Sequence, residues 1–160
     1  VGLSSDARVL IDKARVNAQS NKLTFDEPID VETLTSQICE LQQRYTQNSG
    51  GRPFGVSMII GGVDKTGAKI FNTHPSGTYK AYKATVAGTG SEIALPILKE
   101  EYHKDLTLEQ SIKLATKCLI KTLQARQLPT KIKIATIPNT TKQMNILSEE
   151  KTKQYIKEAT

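Results

Sequence analysis

Apolar positions recur at three- and four-residue spacing over residues 4–20, where Ala7, Leu10, Ile11, Ala14 and Ala18 fall on one helical face. Asp6, Arg8, Asp12, Lys13 and Arg15 cover the other side, and Ser4 or Ser5 is placed to accept from the first free N–H groups. Residues 21–28 read as a connector. Asp30 then caps a second helix with the stripe Val31, Leu34, Ile38 and Leu41, ending near Tyr45, because Gln47-Asn48-Ser49-Gly50-Gly51 cannot continue it.

The period then changes from 3.6 to 2. Phe54, Val56, Met58 and Ile60 alternate with Gly55, Ser57, Ile59 and Gly61, and because both sets are small or apolar the pattern predicts a strand covered on both faces. Asp64-Lys65-Thr66-Gly67 is a turn, residues 68–73 return antiparallel, His74-Pro75-Ser76-Gly77 is a second turn, and residues 78–86 complete a meander. Gly88 and Gly90 break the sheet pattern. Ser91 opens a helix through Tyr102, with Ile93, Ala94, Ile97 and Leu98 as its apolar side; Pro96 predicts a bend or a late start.

Thr107-Leu108-Glu109-Gln110 fits the capping box, and the helix it opens is expected to bury Leu108, Ile112, Ala115, Cys118 or Leu119, and Leu123 until Leu128-Pro129 stops it. Residues 131–136 read as a strand, residues 144–147 as a short one, and Ser148 caps a terminal helix through Glu158. Runs of strands bracketed by helix pairs argue for a layered α+β sandwich rather than a doubly wound parallel sheet.

A chain of 160 residues holds a core without disulfide or metal staples, so one domain over 1–160 is the default. No run of 18 apolar residues exists, which excludes a membrane-spanning helix. The opening residues lack the basic and apolar regions of a secretory signal and lack Met, so the chain reads as a mature or truncated product. Cys39 and Cys118 each sit in an apolar helical face and read as buried free thiols in a reducing compartment. The net charge of +6 raises nucleic-acid binding, but residues 1–97 hold 10 basic and 9 acidic side chains and residues 98–160 hold 12 and 7. The excess is spread over helices beside Glu100, Glu101, Glu109, Glu149 and Glu150, without basic runs or interleaved aromatics, so no nucleic-acid partner is expected.

Signatures of chemistry are sparse. The chain has no phosphate-binding Gly-Lys-Ser/Thr loop, no His-Glu-x-x-His and no Cys-x-x-Cys, and no metal or cofactor is expected. His74 and His103 lie in segments that read as solvated turns, and nothing pairs the carboxylates. Gly88-Thr89-Gly90-Ser91 before a helix start exposes N–H groups in some proteins to anions, but alone it reads as a tight turn.

Taken together, Tyr45-Thr46-Gln47, Gly51-Arg52-Pro53-Phe54-Gly55-Val56-Ser57, Pro75-Ser76-Gly77, Tyr82-Lys83-Ala84 and Gly88 resemble the alpha-type subunits of the proteasome core particle in order and spacing. Residues 10–16, 61–64 and 101–104 are most similar to the fifth, or zeta, alpha-type subunit. The likeness covers the whole chain and the C-terminal two thirds of a family member. The chain departs from the family pattern at His74, where Asp usually precedes Pro-Ser-Gly, and lacks the longer insertion often found before Arg52 in the zeta subunit.

The resemblance implies a four-layer αββα sandwich of the N-terminal-nucleophile hydrolase type with its first strands missing, leaving an exposed sheet edge. Beta-type relatives use an N-terminal Thr as nucleophile, a role Val1 cannot take. The implied function is a non-catalytic subunit of the seven-membered outer ring, supporting gated entry of proteins for ubiquitin-dependent degradation in cytoplasm and nucleus. Implied partners are neighbouring alpha-type subunits, the beta-type ring, and an activator or regulatory particle. Tyr45 matches a tyrosine of the cluster that holds the open gate, or simply closes the stripe of its helix; Arg52, Pro53, Phe54 and Gly55 match a structural loop; Pro75, Ser76 and Gly77 match a turn; and Gly88, Thr89, Gly90 and Ser91 match a relic of the beta-type glycine loop. A beta-like threonine hydrolase and a basic RNA-binding domain are the rival readings.

Overall fold

The computed structural model describes residues 1–47, 50–125, 127 and 131–159. The chain divides into two compact units, Val1–Lys83 and Ala84–Thr160, each built of helices and antiparallel strands. The expected stop at Leu128-Pro129 and the Asn48-Ser49 part of the earlier break lie outside the described residues.

The first unit opens with α1 (Ser4–Phe25) and α2 (Val31–Gln47). The first helix runs past the expected end at Ser20, and Asp26 terminates it in the left-handed region, its N–H bonded to the Lys22 carbonyl. Neither Ser4 nor Ser5 caps its start. The residue before the helix is Leu3, and the first-turn chemistry passes instead through Asp6, which is buried rather than on the solvent side as its position in the pattern suggested. Ile11 is exposed, while Leu10 is fully buried with Ile38, Phe54 and Val56, and Ala7, Ala14, Leu41 and Met58 pack around them. This cluster is the core of the unit.

β1 (Ile59–Asp64), β2 (Gly67–Thr73) and β3 (Tyr79–Tyr82) form the expected antiparallel meander in that order. Residues 54–58 are not part of β1. The backbone of residues 55–57 faces the chain's first residues instead: Gly2 bridges Val56, Leu3 N–H donates to the Gly55 carbonyl and Ser57 N–H to the Val1 carbonyl; the Met58 carbonyl accepts from the Thr73 N–H, and the regular ladder with β2 runs from Ile59. β3 is shorter than the expected 78–86, its pairing ending at Ile70 opposite Tyr82.

The sheet is not covered on both faces within this unit. A methyl on Gly62 would lie 2.7 Å from the Val31 side chain, so the Ile60, Gly62 and Phe71 side meets α2. The opposite side carries Ile59, Ile70 and Tyr82, with Ile59 45 % and Tyr82 39 % exposed.

The second unit holds α3 (Ser91–Glu101), α4 (Leu108–Ala125), the two-residue pair β4 (Ala135–Thr136) and β5 (Asn145–Ile146), and α5 (Glu149–Glu158). α3 starts on time despite Pro96, which falls at its sixth residue. The capping box of α4 is formed, Thr107 N–H donating to Gln110 Oε1 at 2.8 Å and Gln110 N–H to Thr107 Oγ1 at 3.2 Å.

The buried positions of α4 differ from the single stripe expected. Leu108, Ala115 and Leu119 are exposed, while Leu114 and Cys118 form one row and Ile112, Thr116 and Ile120 another. An offset of two residues is about 200° of helix, so these rows lie on opposite sides and α4 is buried on both. The first row packs with Ala94, Ile97 and Leu98 of α3. Of the expected strand 131–136, residues 135–136 pair with β5 and the Ile134 carbonyl accepts from the Leu147 N–H at 2.9 Å. Ser148 caps α5 by accepting from Lys151 N–H.

Candidate functional site

The sequence-derived site residues separate into a cluster in the first unit and a glycine loop in the second. The cluster is organised by Asp6, in the first turn of α1. Arg52 reaches it with two guanidinium nitrogens, Nη1 at 2.6 Å from Oδ2 and Nη2 at 2.7 Å from Oδ1, and Gly55 N–H donates to Oδ2 at 2.8 Å. The bidentate fork fixes direction as well as distance. The Arg52 hydrogen bonds, followed by the Gly55 N–H, hold the Asp6 carboxyl well below the usual carboxylate range against the opposing effect of burial, and the pair raises Arg52 in turn.

A methyl on Gly55 would come 2.9 Å from Leu3 Cδ1, so a side chain there would displace the exposed Leu3 side chain. Arg52 also donates to the Pro53 carbonyl at 3.0 Å, and Phe54 is buried behind the loop. The ring of Tyr45, near the end of α2, meets Phe54 edge-on at 4.8 Å between centroids and is itself 43 % exposed. Tyr45 and the Arg52–Gly55 loop are therefore one contiguous structure. From the α2 side, Gln42 Nε2–H donates to the Val56 carbonyl at 3.1 Å, while its Oε1 is buried without a hydrogen-bond partner among the described residues.

Pro75, Ser76 and Gly77 occupy the β2–β3 turn. Gly77 has φ +85°, and a methyl on it would lie 2.6 Å from the Cys39 carbonyl oxygen and 2.7 Å from Gln43, so the turn is pressed against α2 where only glycine fits. At the other end of the sheet, Asp64 closes β1. Its Oδ1 accepts from the Thr66 hydroxyl at 2.7 Å and the Thr66 N–H at 2.8 Å, and its Oδ2 accepts from the Val31 N–H at 3.2 Å, so a strand residue caps α2 in place of the Asp30 side chain expected to do so. The Thr66 hydroxyl leads in holding the Asp64 carboxyl down at about 2.

In the second unit Gly88 has φ +124° and its carbonyl accepts from Ser91 N–H at 3.1 Å, while the Gly90 carbonyl accepts from Ile93 and Ala94. A methyl on Gly90 would run into the Thr122 methyl, so this glycine permits close approach of α3 to α4. The Ser91 and Ile93 amides are turned into the loop itself, which builds a tight turn rather than a cradle for an anion. Among the described residues no three His, Cys, Asp or Glu side chains lie together so as to hold a metal, and no helix is long and apolar enough to cross a membrane. Cys39 and Cys118 are free and buried, and burial pushes both thiols up, Cys39 to about 11.

Asp6 and Asp64 are the residues the sequence pattern missed. Asp6 lies 46 positions from Arg52 and Asp64 lies 33 from Val31, and no short-range spacing announces either contact.

The model of the family described as Proteasome subunit matches residues 1–137. The chain is 40 % identical over 157 residues to the proteasome subunit alpha of Methanothermobacter thermautotrophicus, covering 98 % of this chain and 63 % of that protein. It is 43 % identical over 136 residues to that of Methanopyrus kandleri, covering 85 % of this chain and 55 % of the relative, and 48 % identical over 120 residues to that of Methanocaldococcus jannaschii, covering 75 % and 46 %. The chain spans about three fifths of the length of the first of these relatives. With an α+β arrangement and a family match over most of its length, the chain belongs to the proteasome subunit family, in its alpha-subunit branch.

Proposed function

We propose that this chain is a non-catalytic subunit of the outer, seven-membered alpha ring of the proteasome core particle, and that it supports gated entry of proteins for ubiquitin-dependent degradation. The observation that carries the reading is the near-complete alignment of the chain with proteins named proteasome subunit alpha, 98 % of its length in the Methanothermobacter relative. Its partners in this reading are neighbouring alpha-type subunits through heterologous side-to-side contacts, the beta-type ring beneath, and an activator or regulatory particle above. The compartments are cytoplasm and nucleus. The resemblance of residues 10–16, 61–64 and 101–104 supports the zeta subtype.

The four-layer sandwich belongs to the same proposal. Its support is the side of the β1–β3 sheet away from α2, where Ile70 stands opposite Tyr82 and Ile59 shares the face beside Asn72 and Lys80, a partly exposed face with apolar side chains for a second sheet to cover. In the assembled particle Tyr45 contributes to the gate cluster, with Phe54 behind its ring.

Size-exclusion chromatography of native extract, followed by identification of co-eluting chains, tests the reading. Elution within a large assembly that contains alpha- and beta-type subunits is expected. Elution as a lone domain overturns it. An adduct of a threonine-directed covalent inhibitor on this chain favours a beta-like hydrolase, and salt-dependent retention on RNA favours a nucleic-acid-binding domain.

A further inference from the structure

α1 carries a second pattern that the core of its unit does not use. The buried side of this helix is set by Asp6 and Leu10, with Ala7 and Ala14 packed beside Leu10. Val9, Val16 and Leu23 stand elsewhere on it, 54 %, 57 % and 87 % exposed, at a spacing of seven residues. Seven residues fall about 20° short of two turns, so the three form one row with about 10.5 Å from each to the next. Leu10 lies about 100° round the helix from Val9, and Ala14 about 160° from Val16, which turns the row away from the core.

The residue before each member of the row is basic, so the pairs Arg8-Val9, Arg15-Val16 and Lys22-Leu23 recur in register and the cations line one flank of the apolar row. All three cations are exposed. Among the described residues Arg8 and Lys22 make no ion pair, and Arg15 meets Asp12 at 3.2 Å with both side chains largely in solvent. When two helices pair, an apolar seam supplies the burial and the charges flanking it select the partner. Here the flank calls for acidic side chains. A second copy of this chain is a poor occupant: laid antiparallel it sets the basic row against itself, and laid parallel it sets Arg8 toward Lys13. Asp12 and Gln19 fall between the row members, so the contact is a single row rather than a sustained coiled coil.

We propose that this side of α1 is an interface for a helix of another subunit of the core particle, one that lays apolar side chains along Val9, Val16 and Leu23 and turns acidic side chains toward Arg8, Arg15 and Lys22. The proposal rests on the ring-subunit reading above and names a surface and a partner chemistry for it. Burial of the row drives the contact, and the cations fix which helix is accepted.

A photo-crosslinking side chain placed at position 16 of the full chain, within the assembled particle, tests the interface. Irradiation should join α1 to a helical segment of a different subunit that carries Asp or Glu within one turn of the crosslink. Val16→Asp, at an exposed position, should leave the thermal midpoint of the chain unchanged yet enter the particle about tenfold less well in competition with the unsubstituted chain. Arg8→Glu combined with Arg15→Glu should lower entry in the same direction. In a chain that does enter the particle, a crosslink within the chain itself, to a second copy or to a segment without acidic residues, or no crosslink, overturns the interface and leaves the ring-subunit reading standing. Entry of Val16→Asp equal to that of the unsubstituted chain does the same. Exclusion of the unsubstituted chain from every large assembly overturns both.

Discussion

The guanidinium of Arg52 and the carboxylate of Asp6 meet through two hydrogen bonds of 2.6 and 2.7 Å, joining the loop before β1 to the first turn of α1 across 46 positions. Asp6 is buried, and Arg52 presents most of its side chain to solvent. Truncating Arg52 therefore leaves a buried carboxylate with the Gly55 N–H at 2.8 Å and the Ser5 hydroxyl at 3.5 Å as its remaining partners. Arg52→Lys keeps the charge and loses the fork. In urea unfolding the expected order of midpoints is the unsubstituted chain, then Arg52→Lys, then Arg52→Ala, with Asp6→Asn also below the unsubstituted chain. A midpoint for Arg52→Lys equal to the unsubstituted chain would show that the fork geometry is immaterial.

Asp64 gives a pH prediction with a definite sign. Its folded-state value is lowered from the ordinary 3.8 to about 2, so the charged form is the one the fold favours. The stabilisation is present above pH 3.8 and is lost as pH falls toward 2. Asp6 acts in the same direction at still lower pH. Acid titration followed by circular dichroism should show Asp64→Asn with a flatter stability profile across this window than the unsubstituted chain, and a lower plateau above it. Parallel profiles would remove Asp64 as a contributor.

Gly67 and Gly77 separate two reasons for glycine. Both have positive φ, +113° and +85°, but a methyl on Gly67 meets nothing within 4 Å, whereas one on Gly77 would collide with the Cys39 carbonyl and Gln43. Gly67→Ala is expected to cost about 1–2 kcal/mol from backbone conformation alone. Gly77→Ala adds displacement of the turn from α2 and should cost about 2 kcal/mol more or fail to fold. Equal losses in thermal unfolding would mean that the turn yields without resistance.

Tyr45 serves packing through its ring and is available for other contacts through its hydroxyl. Tyr45→Ala removes the edge-on contact with Phe54 and should destabilise the chain by about 0.5–1.5 kcal/mol beyond the loss of burial. Tyr45→Phe keeps the ring and removes only the hydroxyl. In a reconstituted particle it should leave thermal stability nearly unchanged while altering peptide hydrolysis in the presence of activator. Unchanged hydrolysis would leave Tyr45 a packing residue.

Several elements can be read directly from the chain because their causes are local. The Thr107–Gln110 box forms as its four residues dictate, Asp64 to Gly67 turns one strand into the next, and Ser148 caps α5. Each depends on partners within three or four residues, where sequence spacing and spatial distance are nearly the same thing. The Arg52-Pro53-Phe54-Gly55 loop was equally visible as a motif, but its anchor was not, since Asp6 looked like one more charge on the polar side of a helix.

Strand limits and helix faces followed a different rule. Residues 54–58 alternate like a strand, yet the backbone of residues 55–57 pairs with residues 1–3, and the regular ladder between β1 and β2 begins at Ile59. α4 carries a good single stripe on paper, yet it is buried on two opposite sides, with Leu114 and Cys118 facing α3 and Ile112, Thr116 and Ile120 on the other. A hydrophobic pattern says which residues favour burial, and neighbouring elements select which of them obtain it.

The sequence by itself determined the α+β class, the helix starts carried by local caps, the turns, and the family motifs, because these are consequences of short-range sterics and hydrogen bonding. Only the tertiary structure decided that Asp6 receives Arg52, that Asp64 rather than Asp30 caps α2, and that Gly77 must lie flat on Cys39. Those contacts join segments tens of residues apart, and their energy exists only after the chain has folded far enough to remove water from between them.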